Sequence, residues 1–290
     1  MRSNKKQDLS GRHYCKLNVA KTMQLTWHWK VILKIDFCMK IKIVFLFLCF
    51  TQSCADRSNS FVSAQNPEQI FKAANFGRYY YSLKFSEDYC ALNTTSKVIS
   101  KSEFYRRILD SDFVPIKIDS NNLIYYRLVK ANPTKNQMRL IQALVSRTNI
   151  HYHMEGETLP QFDFTDINGK KFSSKNTRGK ILVLKCWFIG CRQCAEERPV
   201  IKKIVTQYKD RHDILFISLA FDKKQVLQKF LKTISLKYAI IPDQKSYIMD
   251  SLQVTSFPTH VVINKKGEMV KFVNSAEEME SVLKKESLKQ

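Results

Sequence analysis

What the chain lacks narrows it first. It has no second Cys-x-x-Cys and no His-x-x-x-His to complete a zinc site around Cys191 and Cys194, and the nearest imidazoles, His212 and His260, stand singly. It has no apolar run long enough to span a bilayer as a mature helix, the run Ile43 to Phe50 being far too short. Acidic residues are few, 26 Asp and Glu against 48 Lys and Arg, for a formal charge of +22. The cations are nevertheless dispersed along helical patterns, as at Lys223-Lys224, Lys229 and Lys232, and are not gathered with aromatics into a nucleic-acid module. A solvated basic surface drawn to acidic lipids or acidic partners fits better than a nucleic-acid partner.

What is present is a globular composition, 44 % hydrophobic over 290 residues, with room for one large or two modest domains. The basic excess is partly local: residues 1–38 carry eight Lys and Arg against two Asp and Glu. Beyond position 54 the balance is 38 to 24, still clearly basic.

From Met39 the chain reads Met-Lys-Ile-Lys, then the apolar run, then Thr51-Gln52-Ser53-Cys54, which is the pattern of a secretory signal. A signal belongs at an amino terminus, so residues 1–38, which show no periodic pattern, read as a leader ahead of a translation start at Met39. Thr51-Gln52-Ser53-Cys54 resembles the cleavage box of bacterial lipoproteins, in which the cysteine becomes the lipidated first residue. This implies a mature protein tethered at Cys54 on the outer side of a cytoplasmic membrane, although Thr51 replaces the usual larger aliphatic residue. In an oxidising compartment stray thiols pair. Cys186, ending an apolar strand, reads as a small buried hydrophobe, and a Cys90–Cys186 bridge has no positive support.

After a polar tether at 55–60, residues to about 155 predict a small α+β region. Pro67 opens a helix carrying Ile70, Phe71 and Ala74. Ser100 and Glu103 form a capping box ahead of Phe104, Tyr105, Ile108 and Leu109. Val114 to Ile118 and Leu123 to Val129 read as strands around a turn, and a helix follows Pro133 with Met138, Ile141, Leu144 and Val145. Tyr79-Tyr80-Tyr81 predicts a half-buried strand, since aromatics favour strands. His151-Tyr152-His153 has strand alternation, which predicts an exposed imidazole pair at a domain boundary.

The organising stretch is Ile181 to Leu184 running through Trp187 into Cys191-Arg192-Gln193-Cys194 and a helix with Val200, Ile201, Ile204, Val205 and Tyr208. Two thiols three apart at a helix start are close enough to close a small disulfide, and the unpaired N–H groups there stabilise a thiolate. On this reading Cys191 is exposed and Cys194 lies one turn inward. The first sulfur can attack a disulfide and the second resolve the mixed disulfide. Around it lie a hairpin at 162–172, strands at Ile214 to Ala220 and around Ala239 to Ile241, a helix with Val226 to Ile234, a hairpin of His260 to Ile263 with Met269 to Val273, and a closing helix with Ala276, Met279, Val282 and Leu283. The fold class is therefore α/β, a mixed central sheet with helices on both faces over 156–290, preceded by the small α+β region.

Leu159-Pro160-x-Phe162-x-Phe164-x-Asp166, the strand leading to Trp187 and Cys191-x-x-Cys194, and Phe257-Pro258-Thr259 together resemble the TlpA/ResA-type branch of the thioredoxin-like disulfide reductases, over residues 156 to 290. The resemblance implies a nucleophile at Cys191, a resolving thiol at Cys194, and a cis bond before Pro258 that sets the backbone of Phe257 beside the disulfide for a substrate strand. It also implies a redox role for Glu197, whose carboxylate would hold or relay a proton on the Cys194 side. Trp187 matches the earlier aromatic of the motif and belongs more to core than to substrate. Gly190 and Gln193 depart from the tryptophan and proline found in many relatives, which leaves the direction of electron flow open.

An exported thiol-disulfide oxidoreductase is thus expected, acting on disulfides of exported proteins with cytochrome c apoproteins as one class, and recharged by a membrane thiol reductase. It calls for no cofactor beyond the cysteine pair and no metal. Two alternatives stand beside it. A peroxiredoxin-like peroxidase needs Pro and Thr ahead of the cysteine, where Phe188-Ile189-Gly190 stand; a binding lipoprotein with a permanently closed disulfide has no need of both motifs.

Overall fold

In a computed structural model, residues 67–120 and 123–289 are described. The leader, the signal segment, the tether and Cys54 lie outside them. The described residues fall into two compact units, 67–83 with 88–142, and 84–87 with 143–289.

The first unit opens with helices α1 (Pro67–Ile70) and α2 (Ala73–Ser82). The Tyr79-Tyr80-Tyr81 cluster is therefore helical, not a strand. Phe76 and Tyr79 face inward three residues apart, while Tyr81 is 78 % exposed, so the burial follows helical spacing and overrides the strand preference of the rings. Strand β1 (Tyr89–Leu92) precedes helix α3 (Lys101–Asp110), where the Ser100 side chain accepts the N–H of Glu103 at 3.0 Å as the capping box predicts. β2 (Phe113–Ser120) and β3 (Leu123–Lys130) form the expected antiparallel pair, and β1 adds parallel to β3. Helix α4 (Lys135–Met154) follows, and the division between the units falls inside it rather than near 155. His151 and His153 sit on its last turn, so they do not share one side of a strand. His151 is buried, stacked at 4.3 Å on Phe272, with Nε2 3.1 Å from the carbonyl of Gln253.

The second unit adds the hairpin β4 (Asp163–Thr165) and β5 (Lys171–Ser173), then the central strand β6 (Ile181–Trp187). Helices α5 (Arg192–Glu196) and α6 (Arg198–Gln207) lead to β7 (Ile214–Ala220), α7 (Lys224–Phe230) and β8 (Ala239–Ile241). A single π turn (Tyr247–Ser251), absent from the sequence expectation, precedes β9 (Thr259–Ile263), β10 (Met269–Val273) and α8 (Ala276–Ser287). The five-stranded sheet has the order β10-β9-β6-β7-β8, with β6, β7 and β8 parallel and β9 antiparallel to β6.

All seven residues of β6 are buried, as a strand covered on both faces requires. Their alternation divides the core. Ile181 and Val183 pack with Ile201 and Ile204 of α6 and with Met279 and Leu283 of α8, whereas Leu182, Leu184 and Cys186 pack on the opposite side with Phe164, Phe172, Ile248 and Leu252. By the same alternation Lys185 belongs to the face covered by α6 and α8.

Candidate redox site

β6 ends at Trp187, whose indole N–H donates to Ser218 Oγ at 3.1 Å and whose ring packs with Cys191, Cys194 and Leu227. Trp187 is therefore core. The chain at and after Trp187 is fixed by the residues that follow β7: the Phe221 N–H donates to the Trp187 carbonyl at 3.1 Å, and the Ile189 N–H to Asp222 Oδ2 at 2.8 Å. Asp222, invisible to sequence reasoning, pins the loop that delivers the cysteines.

Cys191 caps α5, its sulfur accepting the Cys194 N–H at 3.2 Å, and the two cysteines form a disulfide with Cα atoms 5.3 Å apart. The expectation that Cys191 is exposed does not hold: it is 6 % exposed and Cys194 2 %, because Trp187, Phe188 and Phe257 pack around them. Nor does one helix follow the pair. α5 is five residues long and stops at Glu197, since Pro199 has no N–H to donate to the carbonyl of Ala195 and its ring crowds that oxygen. The Arg198 Nε donates to that carbonyl at 3.1 Å instead. A short, broken helix supplies less dipole than a continuous one, so its contribution to thiolate stability is correspondingly small.

The bond between Phe257 and Pro258 is cis. Asn274 holds the turn after it, its Nδ2 donating to the Pro258 carbonyl at 3.2 Å and to Thr259 Oγ1 at 3.0 Å. Phe257 stands edge-on to Phe188 (5.5 Å) and Phe221 (4.9 Å), giving three half-buried rings at the mouth of the site.

Glu197 lies at the break between α5 and α6, and its carboxylate is taken up on both sides. Oε1 is 2.6 Å from Lys185 Nζ and Oε2 is 3.1 Å from His260 Nε2. The Lys185 contact is a buried ion pair. Lys185 and His260 are direct cross-strand partners on β6 and β9. Burial alone would raise the Glu197 pKa, but the hydrogen bond and charge of His260, with the charge of Lys185, overcome it and hold the carboxyl below its ordinary value. Burial pulls the Lys185 ammonium below its ordinary value, and Glu197 opposes that. Cys186 points to the other face as a free buried thiol, so no Cys90–Cys186 bridge exists, and burial pushes its pKa far up. Among the described residues no group of His, Cys, Asp and Glu is arranged to hold a metal, and no helix is long and apolar enough to cross a membrane.

The profile of the AhpC/TSA family matches residues 156–272. The thiol-disulfide oxidoreductase ResA of Bacillus cereus (strain ZK / E33L) is 30 % identical over 134 residues, 45 % of this chain and 77 % of the relative. The chain belongs to the ResA-type thiol-disulfide oxidoreductases. The thioredoxin-like protein YneN of Bacillus subtilis is 31 % identical over 116 residues, 39 % of this chain and 67 % of that one. Among solved structures, the thioredoxin domain of a thiol-disulfide oxidoreductase from Bacteroides vulgatus superposes with a TM-score of 0.41 at 20 % identity, covering 45 % of this chain and 96 % of that domain. The family match, residues 156–272, lies in the second unit, and the fold of that unit is thioredoxin-like.

Proposed function

We propose that this oxidoreductase works outside the cytoplasm and reduces disulfides of exported proteins, with Cys191 as nucleophile and Cys194 as resolving thiol. The observation that carries the reading is the Cys191–Cys194 pair capping α5 in one cluster with Phe257, the residue joined by a cis bond to Pro258. In the dithiol state Cys191 attacks a substrate sulfur, a mixed disulfide forms, and the first substrate sulfur leaves with the electron pair. Cys194 then attacks Cys191, closing the internal disulfide and releasing the second substrate sulfur. Two electrons and two protons pass from the dithiol to the substrate, and a membrane thiol reductase restores them. Phe188, Phe221 and Phe257 offer the substrate segment an apolar seat. Cytochrome c apoproteins are one substrate class, Cys54 is the lipid tether, and the cysteine pair is the only redox group required.

The test is insulin-disulfide reduction by the full chain in the presence of a dithiol. Cys191→Ser should reduce turnover by at least about 10³-fold, and Cys194→Ser should trap the mixed disulfide. Full activity in Cys191→Ser sinks the mechanism. The AhpC/TSA match gives one specific ground for a peroxidase. Phe188-Ile189-Gly190 before Cys191 predicts negligible peroxide turnover, and turnover exceeding disulfide reduction would replace this reading. A disulfide that dithiols cannot open would make the unit a binding scaffold.

A further inference from the structure

A lysine in the middle of a central strand is costly to bury and is almost never found there unless paired. Lys185 is such a residue, 5 % exposed between Leu184 and Cys186. Its ammonium lies 2.6 Å from Glu197, and Glu197 in turn meets His260, which is wholly buried. The orientation of this chain of charges is informative. Lys185 lines a cavity of about 10 Å³ together with Cys191, Cys194, Trp187 and Tyr238, and neither Glu197 nor His260 lines it. His260 lines a neighbouring cavity, again of about 10 Å³, that Lys185 and Tyr238 also border. Of the ion pair, Lys185 is the member that borders the cysteine cavity, and the Glu197 carboxylate spans from it to His260.

Resting on the exchange reaction above, we infer that Lys185 is a positioning residue for the resolving step. Its ammonium, held in place by Glu197 and His260, stabilises the thiolate that Cys194 carries when the disulfide opens. Glu197 serves as the anchor of that cation rather than as the proton holder beside Cys194. The other groups facing Lys185 fit the assignment. Tyr238 is neutral, its phenol pushed well up by burial and by the Glu197 charge, and the Arg198 guanidinium, which also lines the cysteine cavity, adds positive charge on the same side. With Lys185 bordering the cysteine cavity, the dithiol is stabilised relative to the disulfide, and the couple becomes more oxidising than the same pair over a neutral residue.

The test is the dithiol/disulfide equilibrium of the full chain in redox buffers, for Lys185→Met and Glu197→Gln in parallel. Lys185→Met should lower the dithiol-to-disulfide ratio at least tenfold, which is about 30 mV for a two-electron couple. Glu197→Gln should raise the ratio, because it leaves the cation uncompensated. In a Cys191→Ser background the pH at which Cys194 becomes alkylatable should rise with Lys185→Met and fall with Glu197→Gln, and Lys185→Arg should stay within about threefold of wild type. A purely structural role would not give opposite signs. Shifts of the same sign, or none, overturn the inference; if Lys185→Met fails to fold, Lys185→Gln, which keeps an N–H donor for Glu197, is read in its place and must lower the ratio. A wild-type pair that does not titrate at all would instead overturn the exchange reaction itself.

Discussion

In the unit of 67–83 and 88–142, the polar residues buried in the core are tyrosines, Ser100 and Gln137, all of them uncharged. Tyr89 donates to Tyr105 at 2.7 Å, Tyr79 to the Pro115 carbonyl at 2.9 Å, and among the described residues of this unit no charged residue is buried. In the unit of 84–87 and 143–289 the core takes in Lys185, His260 and His151, with the Glu197 side chain only 10 % exposed. A phenol crosses into a core as a neutral donor and can be satisfied by one acceptor, whereas a charge needs a partner and its loss strands that partner. The Tyr79 phenol, pushed far up by burial and by Tyr126, stays neutral at any physiological pH. Buried ionisable groups of mixed sign beside a reactive cysteine pair are what a site for moving electrons and protons requires. The first unit has the chemistry of a scaffold, the second that of a reaction.

The largest effect expected from breaking this contrast is on stability at Lys185. Lys185→Met leaves Glu197 buried with His260 alone, and removal of one member of a buried pair costs about 3 kcal/mol, the low end of the usual range because Oε2 keeps its partner. Lys185→Met with Glu197→Leu removes both charges and should recover most of that loss. Amide hydrogen exchange, read separately on peptides from β6 and β3, checks it: protection should fall in β6 and stay unchanged in β3. Equal losses in both strands would mean that the charged cluster supports the whole chain.

A smaller, pH-dependent effect belongs to His151. Burial, with the Arg147 charge, lowers its pKa from 6.5 to about 4 despite the Gln253 carbonyl. The unfolded chain therefore binds more protons between these values, so His151 lowers stability as pH falls from about 6.5 toward 4 and adds nothing further below that. The full cost is about 3 kcal/mol. His151→Phe keeps the stack on Phe272 and should flatten this part of the curve in urea unfolding at pH 7 and pH 4.5. An unchanged slope would mean that the imidazole is protonated in the folded chain.

Sequence legibility follows the same contrast. Strong local patterns were readable: the Ser100 cap, the β2–β3 pair, the apolar run of β6 and the Cys191-x-x-Cys194 turn all depend on residues a few positions apart. Tyr79 to Tyr81 misled because three adjacent rings satisfy a strand preference, while the decisive fact, the inward pair Phe76 and Tyr79, is a helical interval. The apolar spacing after Cys194 predicts one helix, although Pro199 marks the break. The Lys185–Glu197–His260 cluster joins residues from two strands and a helix junction: the sheet register pairs Lys185 with His260, and the junction of α5 and α6 brings Glu197 to them. One local signal did point to it: a lysine inside Ile-Leu-Val-Leu-Lys-Cys-Trp is out of place in a strand buried on both faces.

The smallest effect tests the scaffold unit by itself. If its polar contacts are neutral hydrogen bonds, removing one should cost little and cost the same at every pH. Ser100→Ala deletes the acceptor of the Glu103 N–H at the start of α3 and should destabilise the unit by about 1 kcal/mol. The nearby Glu103–Arg107 pair, 2.7 Å apart but part-exposed on both sides, is worth only about 0.3–0.5 kcal/mol and leaves that figure nearly unaltered. Denaturant unfolding at pH 5.5 and pH 8, followed through the exchange of α3 and β3 amides, should give the same loss twice. A loss that differs between the two pH values would show that the cap depends on a charged group, and the first unit would then share the electrostatic character of the second.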